Sequence, residues 1–203
     1  MEASSDLAKK IAKSAVVAAS AQVFTRLGFS AARVEDILEA AGIARRTFYK
    51  HFTSKEAVLS ALYDLATSEL LRVIAADIER EQDRLAAVRR CMDLYLDYHV
   101  DNAGLVKVLV EQAVRSDSPL AEGRRRFRRD LVRLLDAAVR ERTGVVHDPM
   151  LYAALLSALE GLSLDLLGGA EGKPATRADV DRAKAVMHLL IDRVLAQRAA
   201  EAT

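Results

Sequence analysis

Residues that break helices are rare in this chain, and they occur in a few well-separated groups. The 203 residues include only nine Gly and three Pro. No stretch shows the sustained alternation of apolar and polar residues that is typical of a β-strand. The groups of helix-breaking residues separate segments whose apolar residues have helical spacing. We therefore predict an all-α protein with helices at about 6–27, 33–41, 45–51, 54–80, 83–101, 104–115, 120–142, 149–167 and 176–199.

The predicted helices differ in length along the chain. The short elements lie near the N-terminus, and five or six longer helices follow them. The chain is long enough to bury a sizeable core. We predict a small N-terminal module over residues 1–53 and a helical bundle over residues 54–203.

Charge, cysteine content and hydropathy limit the possible partners and locations. The net charge is +1 and identifies no partner, although residues 1–60 contain nine Lys or Arg against six Asp or Glu. Cys91 is the single cysteine, so no internal disulfide can form, and we expect a reducing, cytoplasmic location. The longest uncharged stretch, Ser14–Thr25, has 12 residues. Because a membrane-spanning helix needs roughly 20 residues, we expect no membrane segment.

Residues 34–52 have the layout of a helix-turn-helix. The first short helix ends at Gly42, where the turn needs a left-handed residue, and the second begins near Ala44. Phe48 and Phe52 can pack inward from this second helix. Its other side chains are polar or cationic, namely Arg45, Arg46, Thr47, Tyr49, Lys50 and His51. Such a surface is typical of a recognition helix in the DNA major groove. A solvated basic face on a small helix is the alternative.

Further ordered matches extend on both sides of this motif, from Ile11 to Leu62. They are Ala19, Val23-Phe24, Gly28-Phe29, Val34-Glu35-Asp36-Ile37, Ala41-Gly42-Ile43, Thr47 to Phe52 and Ser54-Lys55-Glu56. With this run, about a quarter of the chain resembles the TetR/AcrR family of transcriptional repressors. The resemblance implies a homodimer that binds a roughly palindromic double-stranded DNA operator. It also implies a C-terminal pocket for a small-molecule effector and a dimer interface formed by the last two helices.

The resemblance also implies roles for individual residues. Arg45 and Thr47 match positions that touch bases or phosphates, while Tyr49 and His51 match positions near the DNA backbone. Lys55, at the start of the fourth helix, matches a phosphate contact that also gains from the helix N-terminus. The full set of predicted DNA-binding residues is Arg33, Arg45, Arg46, Thr47, Tyr49, Lys50, His51 and Lys55.

Three departures from the family pattern concern the same region. Ala32-Arg33 stands where the family usually has Thr-Thr, so the charge of Arg33 would replace a hydroxyl contact. Ala44 stands where a Ser usually caps the recognition helix, and the lost cap is worth about 1 kcal/mol. Arg46 replaces the usual Gly. These departures leave open a different function, a small-molecule carrier or partner-binding bundle with a degenerate DNA module.

Apolar stripes with a few polar members predict an effector pocket in the bundle. His99, for example, continues the stripe that contains Met92 and Tyr95. The predicted lining is Met92, Tyr95, His99, Leu109, Gln112, Phe127, Leu131, Tyr152 and Leu156. A mostly apolar cavity with two or three polar groups fits a hydrophobic or aromatic molecule. Core residues with local hydrogen-bond partners are the alternative.

The last two predicted helices have the character of a subunit interface. Ala154, Ala158 and Gly161 form a stripe of small residues that allows another helix to approach closely. The final helix is apolar over a wide arc. The predicted interface residues are Ala154, Ala158, Gly161, Met187, Leu190 and Val194. A large core within one chain is the alternative.

The sequence offers little support for catalysis. The four His residues are scattered, and there is no HExxH pattern and no Gly-rich phosphate loop. Cys91 has aromatic and apolar neighbours in its predicted helix, which favours an inert buried thiol over a nucleophile. We therefore expect neither an enzyme nor a bound cofactor or metal.

Overall fold

The computed structural model describes residues 2–81, 83–115, 117–168 and 175–195, and these ranges contain nine α-helices and no strand. The helices are α1 Glu2–Leu27, α2 Val34–Ala41, α3 Arg45–Tyr49, α4 Lys55–Arg80, α5 Arg84–Asp101, α6 Ala103–Ala113, α7 Ala121–Thr143, α8 Pro149–Gly168 and α9 Arg177–Leu195. The all-α prediction is confirmed. Residues 196–199 of the last predicted helix lie outside the described residues.

Local interactions explain where α2 begins and ends. The backbone N–H of Arg33 donates to a carboxylate oxygen of Asp36 at 2.7 Å, so the start of α2 is capped without the hydroxyl expected from the family pattern. Gly42 follows the helix with φ 62°, and the N–H of Ile43 bonds to the carbonyl of Leu38 at 3.2 Å. This left-handed termination turns the chain sharply toward α3.

The chain divides into two compact units whose bounds differ from the predicted 1–53 and 54–203. The N-terminal unit comprises the residues up to Ala66 together with Gly104–Arg124, and the C-terminal unit comprises Thr67–Ala103 with the residues from Arg125 onward. Leu109 and Leu120 cause the difference, because they are buried in the same core as Phe24, Ile37, Phe48 and Leu59. Most of α6 therefore belongs to the N-terminal unit.

The core of the C-terminal unit is built mainly from α5, α7, α8 and α9. Its fully buried members include Val88, Met92, Leu96, Leu131, Leu135, Tyr152, Leu156, Leu159, Met187 and Ile191. Their spacing on each helix places them on one inward face, as the sequence pattern predicts.

Among the described residues, one helix, α8, is long and apolar enough to cross a membrane by length and composition, with a mean hydropathy of 1.5. The core helix of a water-soluble protein can pass the same test. The inward residues Tyr152, Leu156 and Leu159 of α8 are fully buried in the C-terminal core, and 28% of the apolar stretch is buried in total.

Among the described residues, three polar side-chain pairs connect α5 to α9, and we call this set the α5–α9 ladder. Arg89 donates to Asp192 at 2.8 Å, Lys184 donates to Asp97 at 2.6 Å, and the His188 ring lies 2.9 Å from a carboxylate oxygen of Asp93. The members are four residues apart on each helix. Because the helices are antiparallel, successive pairs lie one helical turn apart.

Candidate DNA-binding surface and effector site

Two aromatic side chains anchor the recognition helix α3 to the N-terminal core. Phe48 is 0% exposed and Phe52 is 5% exposed, and their ring centroids lie 6.0 Å apart. Phe48 also makes an edge contact with Tyr49 at 5.2 Å. With Phe48 directed inward, helical periodicity directs the neighbouring residues outward. Arg45, Arg46, Tyr49 and Lys50 are exposed, while Thr47 and His51 are partly exposed.

Arg45, the first residue of α3, contacts two side chains in the free protein. It forms an ion pair with Glu35 of α2. Its guanidinium also lies 5.4 Å from the centroid of the Tyr49 ring, and Nη2 is 3.5 Å from the Tyr49 hydroxyl. The pKa of Glu35 is lowered, first by a hydrogen bond from its own backbone and then by Arg45. Sequence patterns do not predict the contact of Glu35 with Arg45, since only the fold brings Glu35 beside a residue ten positions later.

Lys55 is predicted to contact a phosphate, but its ammonium has other partners in this structure. It donates to the carbonyl oxygens of Phe29 at 2.9 Å, Ser30 at 3.3 Å and Ala32 at 2.8 Å. It also lies 4.6 Å from the centroid of the Phe29 ring. An ammonium has three N–H donors, so Lys55 connects the start of α4 to the α1–α2 loop. A phosphate contact would have to replace at least one of these bonds, and it stays a prediction.

The remaining departures from the family pattern affect the edges of this surface. Arg33 is exposed at the N-terminus of α2, where its charge can reach solvent. Ala44 occupies the cap position of α3 and provides no side-chain hydrogen bond. The start of α3 therefore depends on the contacts of Phe48 and on the Arg45–Glu35 pair rather than on a capping hydroxyl.

The nine residues predicted to line an effector pocket do not share one core. Met92, Tyr95, Phe127, Leu131, Tyr152 and Leu156 are buried in the C-terminal core, and His99 stacks on Tyr95 in the same unit. Leu109 instead lies in the core of the N-terminal unit, and Gln112 belongs to that unit as well. The cause is the position of α6, whose apolar face packs on the N-terminal core.

His99 is a buried polar group with a local partner. Its ring stacks on Tyr95 with centroids 3.9 Å apart, and Nδ1 lies 2.8 Å from the Tyr95 carbonyl oxygen. Burial lowers the pKa of His99 to about 4, although the backbone hydrogen bond acts in the opposite direction. The imidazole is therefore neutral at pH 7. Because a carbonyl only accepts, Nδ1 carries the proton and Nε2 is left as an acceptor.

Tyr152 is also a buried polar residue, but unlike His99 it has no local hydrogen-bond partner for its polar atom. The residue is 0% exposed, and its hydroxyl has no hydrogen-bond partner. Burial, followed by the charge of Asp136, raises the pKa of Tyr152 to about 12. One carboxylate oxygen of Asp136 is also buried without a hydrogen bond, and the buried His147 ring lies edge-on to Tyr152 at 6.1 Å. Sequence patterns alone predict neither Asp136 nor His147 at this position.

The predicted interface residues lie partly on the surface and partly in the core. Ala154 and Gly161 of α8 are exposed, and a Cβ added at Gly161 would meet no atom within 4 Å. On α9, Leu189 is 57% exposed and Val186 is 41% exposed. Ala158, Leu190 and Val194 are partly buried against the C-terminal core. Met187 is fully buried in that core and cannot contact another subunit directly.

Cys91, the single cysteine, lies in the C-terminal core. Cys91 is buried, and burial, followed by the charge of Asp77, raises its pKa to about 12. The thiol therefore stays protonated at pH 7. Within the described residues, no group of three or more His, Cys, Asp or Glu side chains could hold a metal ion.

Comparisons with known proteins agree with this geometry. Residues 16–62 match the family model described as bacterial regulatory proteins, tetR family. The chain is 35% identical over 80 residues to the HTH-type transcriptional repressor DhaR from Mycobacterium sp. (strain GP1), which covers 36% of this chain and 40% of DhaR. It is 26% identical over 128 residues to the nucleoid occlusion factor SlmA from Photorhabdus laumondii, which covers 60% of this chain and 64% of SlmA. The chain thus spans less than two thirds of either relative.

Solved structures extend the similarity over most of the chain. The transcriptional regulator FadR from Bacillus subtilis, solved in complex with stearoyl-CoA, has a TM-score of 0.74 at 16% sequence identity. The match covers 87% of this chain and 96% of FadR. At this sequence identity the match shows that the two proteins share a fold, and it does not show that they share a function. Residues 16–62 are thus similar to the tetR family of bacterial regulatory proteins, and the chain as a whole shares the fold of FadR.

Proposed function

We propose that this protein is a ligand-responsive transcriptional regulator, most simply a repressor, that binds a palindromic operator as a homodimer. The observation that carries the proposal is the composition of the exposed face of α3. Arg45, Arg46, Tyr49 and Lys50 all reach solvent from a helix whose inward side is fixed by Phe48. Cationic and hydrogen-bonding side chains on so narrow an element suit the edges of base pairs and the flanking phosphates.

Selection of binding sites from a pool of random double-stranded DNA tests this proposal. The wild-type protein is expected to enrich a palindromic site, and its affinity is expected to fall steeply with salt because phosphate contacts release counterions. Lys50→Ala should weaken binding, whereas Arg129→Ala, which removes an exposed charge from α7, should leave it unchanged. Failure of the wild type to enrich any sequence would contradict DNA recognition and favour the carrier or partner-binding function.

The exposed apolar side chains of α8 and α9 support a homodimer. Leu164, Val186 and Leu189 are exposed, and so are the small residues Ala154 and Gly161 of α8, a combination that suits the packing of helices from a second copy. Two copies are also what a palindromic site requires, because each half-site takes one recognition helix.

Substitution at Gly161 tests the interface without disturbing the chain's own packing. A Cβ at this position meets no atom within 4 Å, so Gly161→Arg should keep the fold but place a charged side chain between subunits. We expect monomers by sedimentation at concentrations where the wild type is a dimer. Ala137→Arg, on the exposed side of α7, is the matched control. A Gly161→Arg protein that remains a tight dimer would contradict this interface.

The buried hydroxyl of Tyr152 supports an effector site in the C-terminal core. A fully buried polar atom without a partner is unusual, and here it lies in the C-terminal core near Asp136 and His147. A mostly apolar ligand with one polar group would satisfy it. The FadR structure, which holds stearoyl-CoA, makes long acyl chains the first compounds to test together with aromatic ones.

Tyr152→Phe separates an effector role from a structural one. Because the hydroxyl has no partner in the free protein, its removal should leave the unfolding free energy unchanged or slightly higher. If the hydroxyl anchors the effector, the variant should need more stearoyl-CoA or aromatic compound to release operator DNA. Only a ligand that binds one conformation more tightly can shift the equilibrium. Release at the wild-type ligand concentration would place the site elsewhere.

A further inference from the structure

We propose that Glu35 is a positioning residue that directs the guanidinium of Arg45 toward one base pair of the operator half-site. Glu35 would then determine specificity rather than affinity. The inference rests on the proposed DNA-binding function and concerns the same surface. It arises from the contact between a carboxylate of α2 and the first residue of the recognition helix, a contact that neither the domain match nor the relatives assign.

The position of Arg45 makes an orienting partner necessary. The side chains of Arg45 and Glu35 are each 60% exposed, and Arg45 stands at the first position of a helix of only five residues. A long, exposed side chain at such a position has many rotamers available, and ordering it costs conformational entropy. A side chain that is held in place before DNA arrives avoids part of this cost on binding.

Two contacts restrict Arg45 from different sides. Glu35 bonds Nη1 from α2, while the Tyr49 ring lies under the guanidinium at 5.4 Å. Tyr49 is itself held by an edge contact with the fully buried Phe48 at 5.2 Å. The orientation of Arg45 is thus connected to the core through Tyr49 and to α2 through Glu35.

The donors of Arg45 are sufficient for both partners. A guanidinium has five N–H donors, of which Glu35 takes one on Nη1. The bidentate contact that arginine makes with guanine needs only two more. The Glu35 carboxylate also places a negative charge close to the DNA, which opposes phosphate binding in general. A residue that lowers affinity for every sequence while improving one base contact favours discrimination.

A double-mutant cycle tests the assignment on the operator that the wild type selects and on operators with single base-pair changes. Arg45→Ala is expected to reduce discrimination at one base pair of each half-site by about 5- to 150-fold. Glu35→Ala should reduce discrimination at the same base pair by about threefold or more, and the double variant should match Arg45→Ala alone. Glu39→Ala is the matched control, because it removes an exposed carboxylate from the same helix.

The possible outcomes distinguish a failure of the positioning role of Glu35 from a failure of the proposed DNA-binding function. Loss of discrimination at a shared base pair in Glu35→Ala, but not in Glu39→Ala, supports the positioning role. If both variants instead tighten binding equally to all sequences, Glu35 acts only as a surface charge and the inference is overturned. If the wild type selects no DNA sequence at all, the proposed function fails and this inference fails with it. All substituted residues are exposed, and circular dichroism checks that each variant remains folded.

Discussion

The two compact units place their candidate functional groups in opposite ways. In the N-terminal unit these groups lie on the surface of α3, and their positions depend on the buried rings of Phe48 and Phe52. In the C-terminal unit they lie inside the core, as His99 and Tyr152 do. Surface side chains can change with little effect on folding, whereas a buried polar group carries a desolvation cost that its surroundings must offset. Recognition of DNA and of an effector should therefore respond differently to mutation.

We expect the largest effect from removal of the Phe48 ring, which supports the exposed face of α3. Phe48→Ala should destabilise the N-terminal unit by about 3–5 kcal/mol, since it leaves a cavity in a fully packed core. DNA binding should disappear although no exposed residue has changed. Urea denaturation and site selection measure the two effects. Tyr49→Ala, which alters the exposed neighbour, should cost much less stability, and equal losses in the two variants would contradict the anchoring role.

In the C-terminal unit, the dependence of stability on pH tests the burial of His99. Burial lowers its folded pKa from 6.5 to about 4, so the unfolded chain takes up a proton between these values that the folded protein does not. Stability should be complete above about pH 6.5 and decrease toward pH 4, by on the order of 3 kcal/mol. The urea midpoint of His99→Gln should therefore fall less over this range. Parallel pH profiles for the two proteins would contradict the assignment.

Lys55 is an intermediate case, because it lies near the predicted DNA surface but bonds to its own chain. Lys55→Met keeps the aliphatic stem and removes three bonds to loop carbonyls, so we expect a loss of about 1–2 kcal/mol. Thermal unfolding in the absence of DNA measures this loss of stability. Lys50→Met, at an exposed position, should have little effect on stability. If Lys55→Met is as stable as the wild type but binds DNA weakly, its role is the phosphate contact.

The smallest expected effect is at the turn between α2 and α3. Gly42 has φ 62°, and a Cβ there would meet no atom within 4 Å, so Gly42→Ala introduces backbone strain without a clash. We expect a loss of about 1 kcal/mol with the helix-turn-helix retained. Thermal unfolding of the variant provides the measurement. A loss of several kcal/mol would mean that the turn has packing contacts beyond its backbone conformation.

The helix-turn-helix could be predicted from sequence because its determinants are local. Gly42 ends α2, and the spacing of Phe48 and Phe52 fixes which side of α3 faces inward, so the exposed set follows from helical periodicity. The same reasoning identified most helices. It could not identify the partners of Glu35 and Lys55, which come from elements ten or more residues away in sequence.

The effector site was harder to predict for a physical reason. An apolar stripe shows that a helix face is buried but not which core buries it. Leu109 has the same periodic character as Met92, yet it packs in the N-terminal core. Met187 likewise fits either a core or an interface, and the structure buries it in its own chain. Only tertiary packing separates these cases.

The α5–α9 ladder has a consequence for how the chain avoids misfolded alternatives. Its pairs are partly exposed, so each adds little to stability. Their order along the helices nevertheless distinguishes one alignment from its neighbours. If α9 moved along α5 by one helical turn in one direction, Asp93 would face Asp192, and two carboxylates would repel each other. The same displacement would place His188 opposite Asp97 and Lys184 opposite Asp101, so the order of charges opposes it at one position only. The ladder thus favours the observed register of the helix that carries Val186 and Leu189 by one charge pair.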